Sequence, residues 1–437
     1  MKRYLATAIV IAVSVQAALA QSSTNSPYSQ YGLGILSDQS SGFSRGMNGL
    51  SLGFHEHNQV NYLNPASYSS LDSLSFIFDA GVSGQVTNFK EGGNRLNANS
   101  SSFEYVMAGF RALRHVGVSF GVLPYTNIGY SYSSSQRVGG SGTTVATNTY
   151  SGTGGLHQIY LGVGWEPLRG LAVGVNGSYI YGEYTRTVAN SYSDSYANTL
   201  TKRYTADVRN FKIDFGAQYT ARLTKKDELT LGVTYGLGRK IGGDPKLEII
   251  STNAQTKVAD TATFNGSNGG KLQLEIPRTL GVGLMLNHDN SLKLGVDYTL
   301  QKWGSVEMPV YQASDAGQKV TYSMRPGYYS DRHKLTVGAD FCPQGQSRRL
   351  MRRVHYRAGV AYATPYYYIN GQDGPKELSA SLGFGIPIIN GYNNRSQLNV
   401  GVQWVRQSAR NYITENSFRL NIGITFNERW FAKWKVE

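Results

Sequence analysis

His55, Glu56 and His57 are the neighbouring side chains of this sequence that most invite a chemical role. Two imidazoles and a carboxylate are groups that can ligate a metal ion. In an extended segment, however, residues 55 and 57 share one side and residue 56 points to the other, and no third histidine lies nearby in the sequence. We therefore expect polar packing or a solvated turn here, with no metal and no other cofactor.

Catalytic motifs are missing from the rest of the sequence. There is no Gly-x-Ser-x-Gly elbow, phosphate-binding Walker loop or His-Glu-x-x-His pair. Catalytic groups that are far apart in sequence would escape this search, so a hydrolase built into a larger fold stays open as an alternative. We expect the protein not to be an enzyme.

Composition and charge exclude two further classes of protein. The chain has 437 residues, with 51 Gly and 31 Tyr, and beyond residue 20 it has no run of about 18 apolar residues of the kind that forms a membrane-spanning helix. Its formal net charge is +14. The basic residues are scattered among Tyr, Ser and Gly and form no stripe, so we expect no nucleic acid partner.

The first twenty residues have the organisation of a secretory signal peptide. Lys2 and Arg3 precede an apolar stretch at 5–15, and small residues at 18 and 20 form a cleavage site before Gln21. Because the residue after the cut is not cysteine, we expect export without a lipid anchor. Cys342 is the only cysteine, so the exported chain has no intrachain disulfide.

Alternation of apolar and polar residues recurs from Leu74 to the end of the chain. In "LKLGVDYTLQKW", for example, apolar residues face one side and Lys, Gly, Asp and Thr the other. We predict fourteen strands from this pattern. They lie near residues 74–86, 103–112, 116–133, 155–165, 171–187, 204–221, 229–239, 272–286, 292–302, 333–341, 354–364, 377–387, 397–406 and 418–427.

Connections between these strands alternate in length. Short links such as "LRH", "EPLRG" and "NHDN" follow even-numbered strands up to the eighth, and long Gly/Ser/Asn-rich links follow odd-numbered ones up to the ninth. The links after strands ten and twelve are less short, which weakens the pattern without reversing it. An even-stranded transmembrane barrel with both termini in the periplasm has short turns on that side and long loops outside. We therefore predict an all-β protein whose residues 73–427 form a 14-stranded antiparallel transmembrane β-barrel in the outer membrane. Aromatic side chains expected at its membrane interfaces are Tyr130, Tyr132, Trp165, Trp303, Tyr366, Tyr367 and Tyr368.

Residues outside the predicted barrel form two segments. Residues 21–72 are rich in Gly and Ser but carry too many Tyr, Phe, Leu and Met side chains for a disordered linker. We expect them to form a hatch, or plug, that buries these side chains in the barrel lumen. Residues 428–437 form a short periplasmic tail with Trp430, Phe431 and Trp434.

The stretch "SRGMNGLSLGFHEHNQVNYLNPASYSSLDSLSF" resembles the hatch of the FadL family of outer-membrane transporters for hydrophobic compounds. "EIPRTLGVGLML" and "LKLGVDYTLQKW" look like mid-barrel strands of that family, and "NSPYSQYGLG" and "FNERWFAKWK" are similar to a subgroup from Bacteroidota. The resemblance implies that Asn64, Pro65 and Ala66 form the hatch motif before the first strand. It also implies a kink in the third strand that opens sideways to the membrane.

The third predicted strand contains Pro124, which cannot donate to a strand ladder and is expected only at an edge or a bulge. A lateral opening there would be bordered by Gly121, Pro124 and Tyr125. A proline that merely lies at a membrane interface is an equally good interpretation.

Two functions follow from the resemblance. The first is passive transport of a hydrophobic or amphipathic small molecule through a hatch-gated lumen, with outer-membrane lipid and that ligand as partners. The alternative is an accessory subunit of a Bacteroidota outer-membrane machine, either the barrel-assembly complex or a type nine secretion component, with other outer-membrane proteins as partners. Transport predicts an apolar path past Pro124, whereas the accessory role predicts an occluded lumen.

Overall fold

The computed structural model describes residues 24–138, 144–266, 272–313, 320–345, 347–388 and 396–428. The predicted signal peptide and the aromatic residues of the predicted tail lie outside these ranges. Fourteen antiparallel strands form a closed wall, as predicted from the alternation. None of the helices in the described ranges is long and apolar enough to cross a membrane.

The wall strands are numbered here in chain order. They are β1 (Phe76–Glu91), β2 (Asn94–Leu113), β3 (Val116–Arg137), β4 (Val145–Leu168), β5 (Leu171–Tyr192), β6 (Thr199–Arg222), β7 (Asp227–Gly236), β8 (Thr279–His288), β9 (Leu292–Gln301), β10 (Arg332–Phe341), β11 (His355–Ala363), β12 (Lys376–Ile388), β13 (Ser396–Ser408) and β14 (Thr414–Glu428).

Closure of the wall comes from the pairing of its first and last strands. β1 and β14 pair antiparallel along their length, from Phe76 opposite Glu428 to Lys90 opposite Thr414. In hydrocarbon, an open sheet edge would leave backbone N–H and C=O groups unpaired at several kcal/mol each. The closed ring removes that cost at the seam.

Strand β9 illustrates how the two faces of the wall differ. Leu294, Val296 and Tyr298 are exposed on the outer face, while Lys293 and Asp297 are buried inside. The outer row is the apolar surface that a barrel presents to lipid, and the inner row is polar. The period of two in the sequence therefore identifies the faces correctly.

Shorter elements lie outside the wall. Strands β2 to β6 have 20 to 24 residues, more than the roughly 9–11 needed to cross a bilayer, so they project beyond it. The additional short strands are Ile35–Leu36, Arg239–Gly242, Lys246–Thr252, Ala259–Phe264, Leu274–Ile276, Met308–Ala313, Val320–Arg325, Tyr368–Ile369 and Gln372–Asp373. The α-helices α1 (Gly42–Arg45) and α2 (Leu350–Arg353) and the 3₁₀ turns Pro27–Gln30, Pro65–Ser70 and Trp303–Ser305 complete the described elements.

Several predicted strand starts are wrong. β2 and β4 begin at Asn94 and Val145, nine and ten residues before the predicted starts near 103 and 155. Leu74 precedes β1 in a turn with a φ of 61°, so the strand begins at Phe76. The eighth strand begins at Thr279 rather than near residue 272, because Leu274–Ile276 pairs with Arg239–Gly242 in a separate two-stranded sheet.

Part of the predicted aromatic belt is also wrong. Trp165 is exposed on the outer face, as expected, but Tyr130, Trp303, Tyr366 and Tyr367 are buried. These four residues belong to an internal cluster of apolar side chains and do not face lipid. Links that fold inward carry aromatic residues just as lipid-facing strand ends do, so sequence position alone does not separate the two environments.

Candidate functional site

Residues 24–75, which precede β1 and are called the N-terminal segment below, lie inside the ring of strands. Each wall strand from β2 to β14 has an inward-facing glycine that lies close to this segment. At each of these glycines, an atom of the segment lies within 4 Å of the position that a Cβ would occupy. A side chain at most of these positions would collide with the segment or press tightly against it. The glycines are Gly109, Gly117, Gly164, Gly174, Gly216, Gly232, Gly283, Gly295, Gly338, Gly359, Gly383, Gly401 and Gly423.

The order of these contacts runs opposite to the order of the strands. Gly42, early in the segment, lies against β14, and Leu52 lies against β7. Tyr68, near the end of the segment, lies against Gly117 of β3. From residue 42 to residue 71, the N-terminal segment therefore follows the inner circumference of the barrel back towards the point where β1 begins.

Asn64, Pro65 and Ala66 lie where the segment contacts β5 and β6. Asn64 is fully buried and caps the 3₁₀ turn Pro65–Ser70: its Oδ1 accepts a hydrogen bond of 3.2 Å from the N–H of Ala66. Its Nδ2 donates to the carbonyl oxygen of Leu52 at 2.8 Å. Pro65 occupies the first position of the turn, where no N–H is needed. One side chain thus joins two stretches of the segment.

His55, Glu56 and His57 point to three separate partners. His55 Nδ1 lies 2.7 Å from Gln218 Oε1, and Glu56 accepts a hydrogen bond of 2.5 Å from Lys293 Nζ. His57 Nε2 lies 4.0 Å from Asp72. Within the described ranges no group of three or more His, Cys, Asp or Glu residues has the geometry of a metal site.

Asp38 is a charged anchor between the segment and the wall. Its carboxylate oxygens lie 3.4 Å from Lys334 Nζ of β10 and 3.4 Å from Arg419 Nη1 of β14. Burial alone would raise the pKa of Asp38, but Lys334 and Arg419 outweigh burial and hold the pKa well below its usual range. Asp38 is therefore an anion at any physiological pH and bridges two strands on different parts of the ring.

A second ion pair links the helix α1 to β2. Arg45 Nη2 lies 2.8 Å from Glu104 Oε2, and both side chains are almost fully buried. Breaking a buried pair by removing one partner leaves an uncompensated charge and typically costs about 3–5 kcal/mol. The pair therefore holds the segment in place more than it adds net stability.

A polar cavity of about 160 Å³ lies between the segment and the wall, beside Asp38 and Tyr62. Acidic and basic side chains line much of it, which makes it a place for ordered water or a polar solute rather than for an apolar ligand. The charged lining residues are Asp38, Lys212, Asp214, Asp297, Arg332, Lys334 and Glu377.

Aromatic side chains from the links cover the segment on the side of the long connections. Tyr366 Oη donates to the carbonyl oxygen of Gly34, and Tyr367 Oη donates to that of Tyr28 at 3.2 Å. The ring centroids of Tyr366 and Trp303 lie 4.6 Å apart. These contacts belong to a single apolar cluster that joins the start of the segment to the links after β9 and β11.

The ladder between β2 and β3 stops near Pro124. Its last pair is Val106 with Val122, so Gly121 lies within the paired part of β3. No ladder joins residues 94–105 of β2 to residues 123–137 of β3, all of which are described. Opposite β4, the register of β3 shifts between Pro124 and Thr126. Proline is expected where a ladder ends, because it has no backbone N–H to donate.

The free edge of β3 beyond this point is partly covered from inside. Ile35 and Leu36 pair with Asn127 and Thr126, and the Ser37 N–H donates to the carbonyl oxygen of Tyr125 at 3.1 Å. The Tyr125 ring is buried beside the polar cavity. Whether Gly121, Pro124 and Tyr125 border a lateral opening stays a prediction.

Sequence reasoning missed the charged anchors Asp38, Arg45 and Glu104, together with the wall residues that complete them. The sequence signal was present but weak: Lys334 and Arg419 fall at inward positions of strands whose faces the alternation identifies. Their partner Asp38 is about 300 or more positions away in the sequence, and nothing local indicates that pairing.

Several solved structures share this fold. The toluene transporter TodX of Pseudomonas putida has a TM-score of 0.60 at 15% identity, covering 91% of this chain and 100% of that chain. A FadL homologue of Pseudomonas aeruginosa has a TM-score of 0.58 at 14% identity, covering 89% and 98%. The Ralstonia pickettii toluene transporter TbuX has a TM-score of 0.55 at 13% identity, covering 87% and 96%. At such identities the likeness concerns the fold alone.

The closed 14-stranded wall thus has the fold of these FadL-like barrels. The BamG family model matches residues 1–437, and the chain belongs to the BamG family. No curated protein matches the chain.

Proposed function

We propose that this protein is a non-conducting barrel subunit of a larger outer-membrane complex. In this role the wall holds the protein in the bilayer, and the N-terminal segment acts as a permanent plug. The observation that carries the proposal is the interior: the segment packs along the glycines of the wall, and the cavity beside Asp38 is lined by charged side chains.

The charged cavity argues against a hydrophobic cargo. Pockets for apolar ligands are lined mainly by apolar and aromatic side chains, with few polar groups. A hydrophobic molecule beside Asp38, Lys334 and Arg332 would strip water from charges without replacing its hydrogen bonds. The apolar side chains of the interior are instead already packed against one another in the cluster around Trp303 and Tyr366.

The barrel-assembly complex is the larger complex that we favour. The family name, BamG, supports this choice over a type nine secretion component. The chain would be an accessory subunit in the outer membrane, with other outer-membrane proteins as partners and no catalytic role of its own.

Extraction from native membranes in a mild detergent tests the proposal. We expect the protein to be recovered at fixed stoichiometry with other outer-membrane proteins, and its depletion to lower the abundance of unrelated β-barrels. Recovery as a lone barrel with bound lipid, with normal levels of other barrels after depletion, would overturn the proposal.

Passive transport of a hydrophobic or amphipathic small molecule is the second candidate. The break in the β2–β3 ladder at Pro124 favours it, because a ligand could leave sideways between Gly121, Pro124 and Tyr125. Uptake of a labelled long-chain fatty acid and of toluene by cells with the wild-type protein, the Pro124→Val variant or no protein separates the two functions. Uptake that requires the protein and falls in the variant would favour transport.

A further inference from the structure

The link between β10 and β11 carries an unusual group of side chains at residues 348–353. Arginines occupy four of the six positions, and Leu350 and Met351 lie between them. Helix α2 covers the last four of these residues. Leu350 is 45% exposed and Met351 68% exposed, so apolar and cationic groups share one accessible surface.

A hydrogen bond places this helix on the outer side of the wall. Tyr356 Oη donates to the carbonyl oxygen of Met351 at 3.1 Å. Tyr356 is paired with Phe341 on one side and Phe384 on the other, and directly opposite residues of a sheet share a face. Phe341 and Phe384 are exposed on the outer, lipid-facing surface. The helix therefore lies where the lipid-facing surface ends, at the rim that carries the short turns.

The backbone of the link is held in a defined position. The Gln344 N–H donates to the carbonyl oxygen of Arg352 at 2.8 Å, and Cys342 Sγ lies 3.6 Å from the carbonyl oxygen of Arg353. Val354, directly after the helix, is buried. Arg348, Arg349 and Arg352 are thus exposed on an ordered support, and binding a ligand there does not require helix α2 to fold first.

The positive charge of residues 348–353 is not neutralised within the described ranges. None of the four arginines forms an ion pair there, and the sequence from Phe341 to Tyr356 contains no Asp or Glu. The nearest acidic residue in sequence, Asp340, faces inward and pairs with Arg357 at 3.1 Å. By contrast, the turn between β6 and β7 pairs Arg222 with Glu228 at 3.0 Å.

We propose that residues 348–353 bind the headgroup of an anionic glycerophospholipid in the adjoining leaflet. A guanidinium group matches a phosphate with two parallel hydrogen bonds, and the apolar side chains of Leu350 and Met351 insert beside the upper part of the acyl chains. An acidic protein would satisfy the same charges, but the position beside the exposed rings of Phe341 and Phe384 favours lipid.

Lipid titration with native mass spectrometry tests this site on the delipidated full chain in a non-ionic detergent. Wild-type protein should retain phosphatidylglycerol in preference to phosphatidylcholine. Replacing three arginines by Gln, at Arg348, Arg349 and Arg352, should weaken phosphatidylglycerol binding on the order of 100-fold, since each charge near an anionic headgroup contributes about fivefold.

A matched variant removes three exposed charges from other short turns, through Arg114→Gln, Arg169→Gln and Lys225→Gln. This variant should bind phosphatidylglycerol as the wild type does. Equal losses in the two variants, or no preference for the anionic lipid in the wild type, would overturn the proposal. Both variants are compared only after a heat-modifiable band on a gel shows that the barrel is folded.

Photo-crosslinking in native membranes separates lipid from a protein partner. A benzophenone amino acid at Met351 should form adducts with phospholipid, detected as a small mass increase on the intact chain. Adducts with a protein as the main product, or with lipopolysaccharide, would overturn the assignment to a glycerophospholipid.

Discussion

Replacing Asn64 by Ala should release the N-terminal segment from the wall more often. The substitution removes the cap of the Pro65–Ser70 turn, worth about 1 kcal/mol. It also removes the 2.8 Å hydrogen bond to the carbonyl oxygen of Leu52, worth about 1 kcal/mol more. Gln218 Nε2 still donates to that oxygen at 2.9 Å, so no buried carbonyl is left unpaired. The loss of about 2 kcal/mol raises the released population about 30-fold.

Cysteine labelling measures this population directly. Cys342 is the only cysteine, so a Cys342→Ser background with Val60→Cys carries one reporter, at a position that is fully buried. When opening is fast and reversible, the labelling rate follows the open population. The rate should therefore rise about 30-fold with Asn64→Ala.

Asn58→Ala is the matched control, because the Asn58 side chain makes no hydrogen bond in the described residues. Labelling of Asn64→Ala at the rate of Asn58→Ala would refute the assignment of an anchoring role to Asn64. The double variant Asn64→Ala, Pro65→Ala should in addition raise permeability to small solutes. Unchanged permeability in a correctly inserted double variant would leave the motif as a turn without a sealing role.

Three further predictions address the wall, the charges and the topology. Gly232→Ala should lower the free energy of unfolding by about 1–3 kcal/mol through overpacking, because the added methyl group overlaps the Leu52 carbonyl oxygen. The folded fraction on a gel should fall accordingly, whereas Gly84→Ala, with nothing within 4 Å, should leave it unchanged. Since the pKa of Asp38 is depressed, its ion pairs are complete above the unfolded-state pKa and are lost only as the pH falls through the folded-state pKa. The ratio of the Val60→Cys labelling rate in Asp38→Asn to that in the wild type should therefore exceed one and stay constant from about pH 5 to 8; a ratio that falls towards one near pH 5 would contradict this. A protease-accessible tag near Asn265 should be exposed on whole cells, and a hidden tag would reverse the predicted orientation.

The fold was largely predictable because a membrane barrel repeats one simple constraint. Each strand needs an apolar row towards lipid and a polar or small row inside, and this gives a period of two that survives in the sequence. The first and last residues of a wall strand were less predictable where the neighbouring link contains short strands of its own. Leu274–Ile276 continues the apolar alternation of β8 in sequence but pairs with Arg239–Gly242 in space.

The interior was predictable only in part. Asn64 drew attention through its place before Pro65, and its capping contact is local in sequence. The Asp38 anchor depends on pairing with β10 and β14, and the burial of Trp303 depends on a link folding inward. Such long-range contacts leave no periodic trace, so a single sequence does not reveal them.

The reversed order of contacts along the N-terminal segment has a consequence for how the molecule is built. The part of the segment nearest to β1 touches the earliest strands, and Gly42 touches the last one. If strands are added in chain order, residues 42–71 of the segment can engage them one after another from the C-terminal end, without threading through a finished ring. The wall can thus assemble around the N-terminal segment, and the last pairing, between β1 and β14, closes the barrel when its interior is already filled.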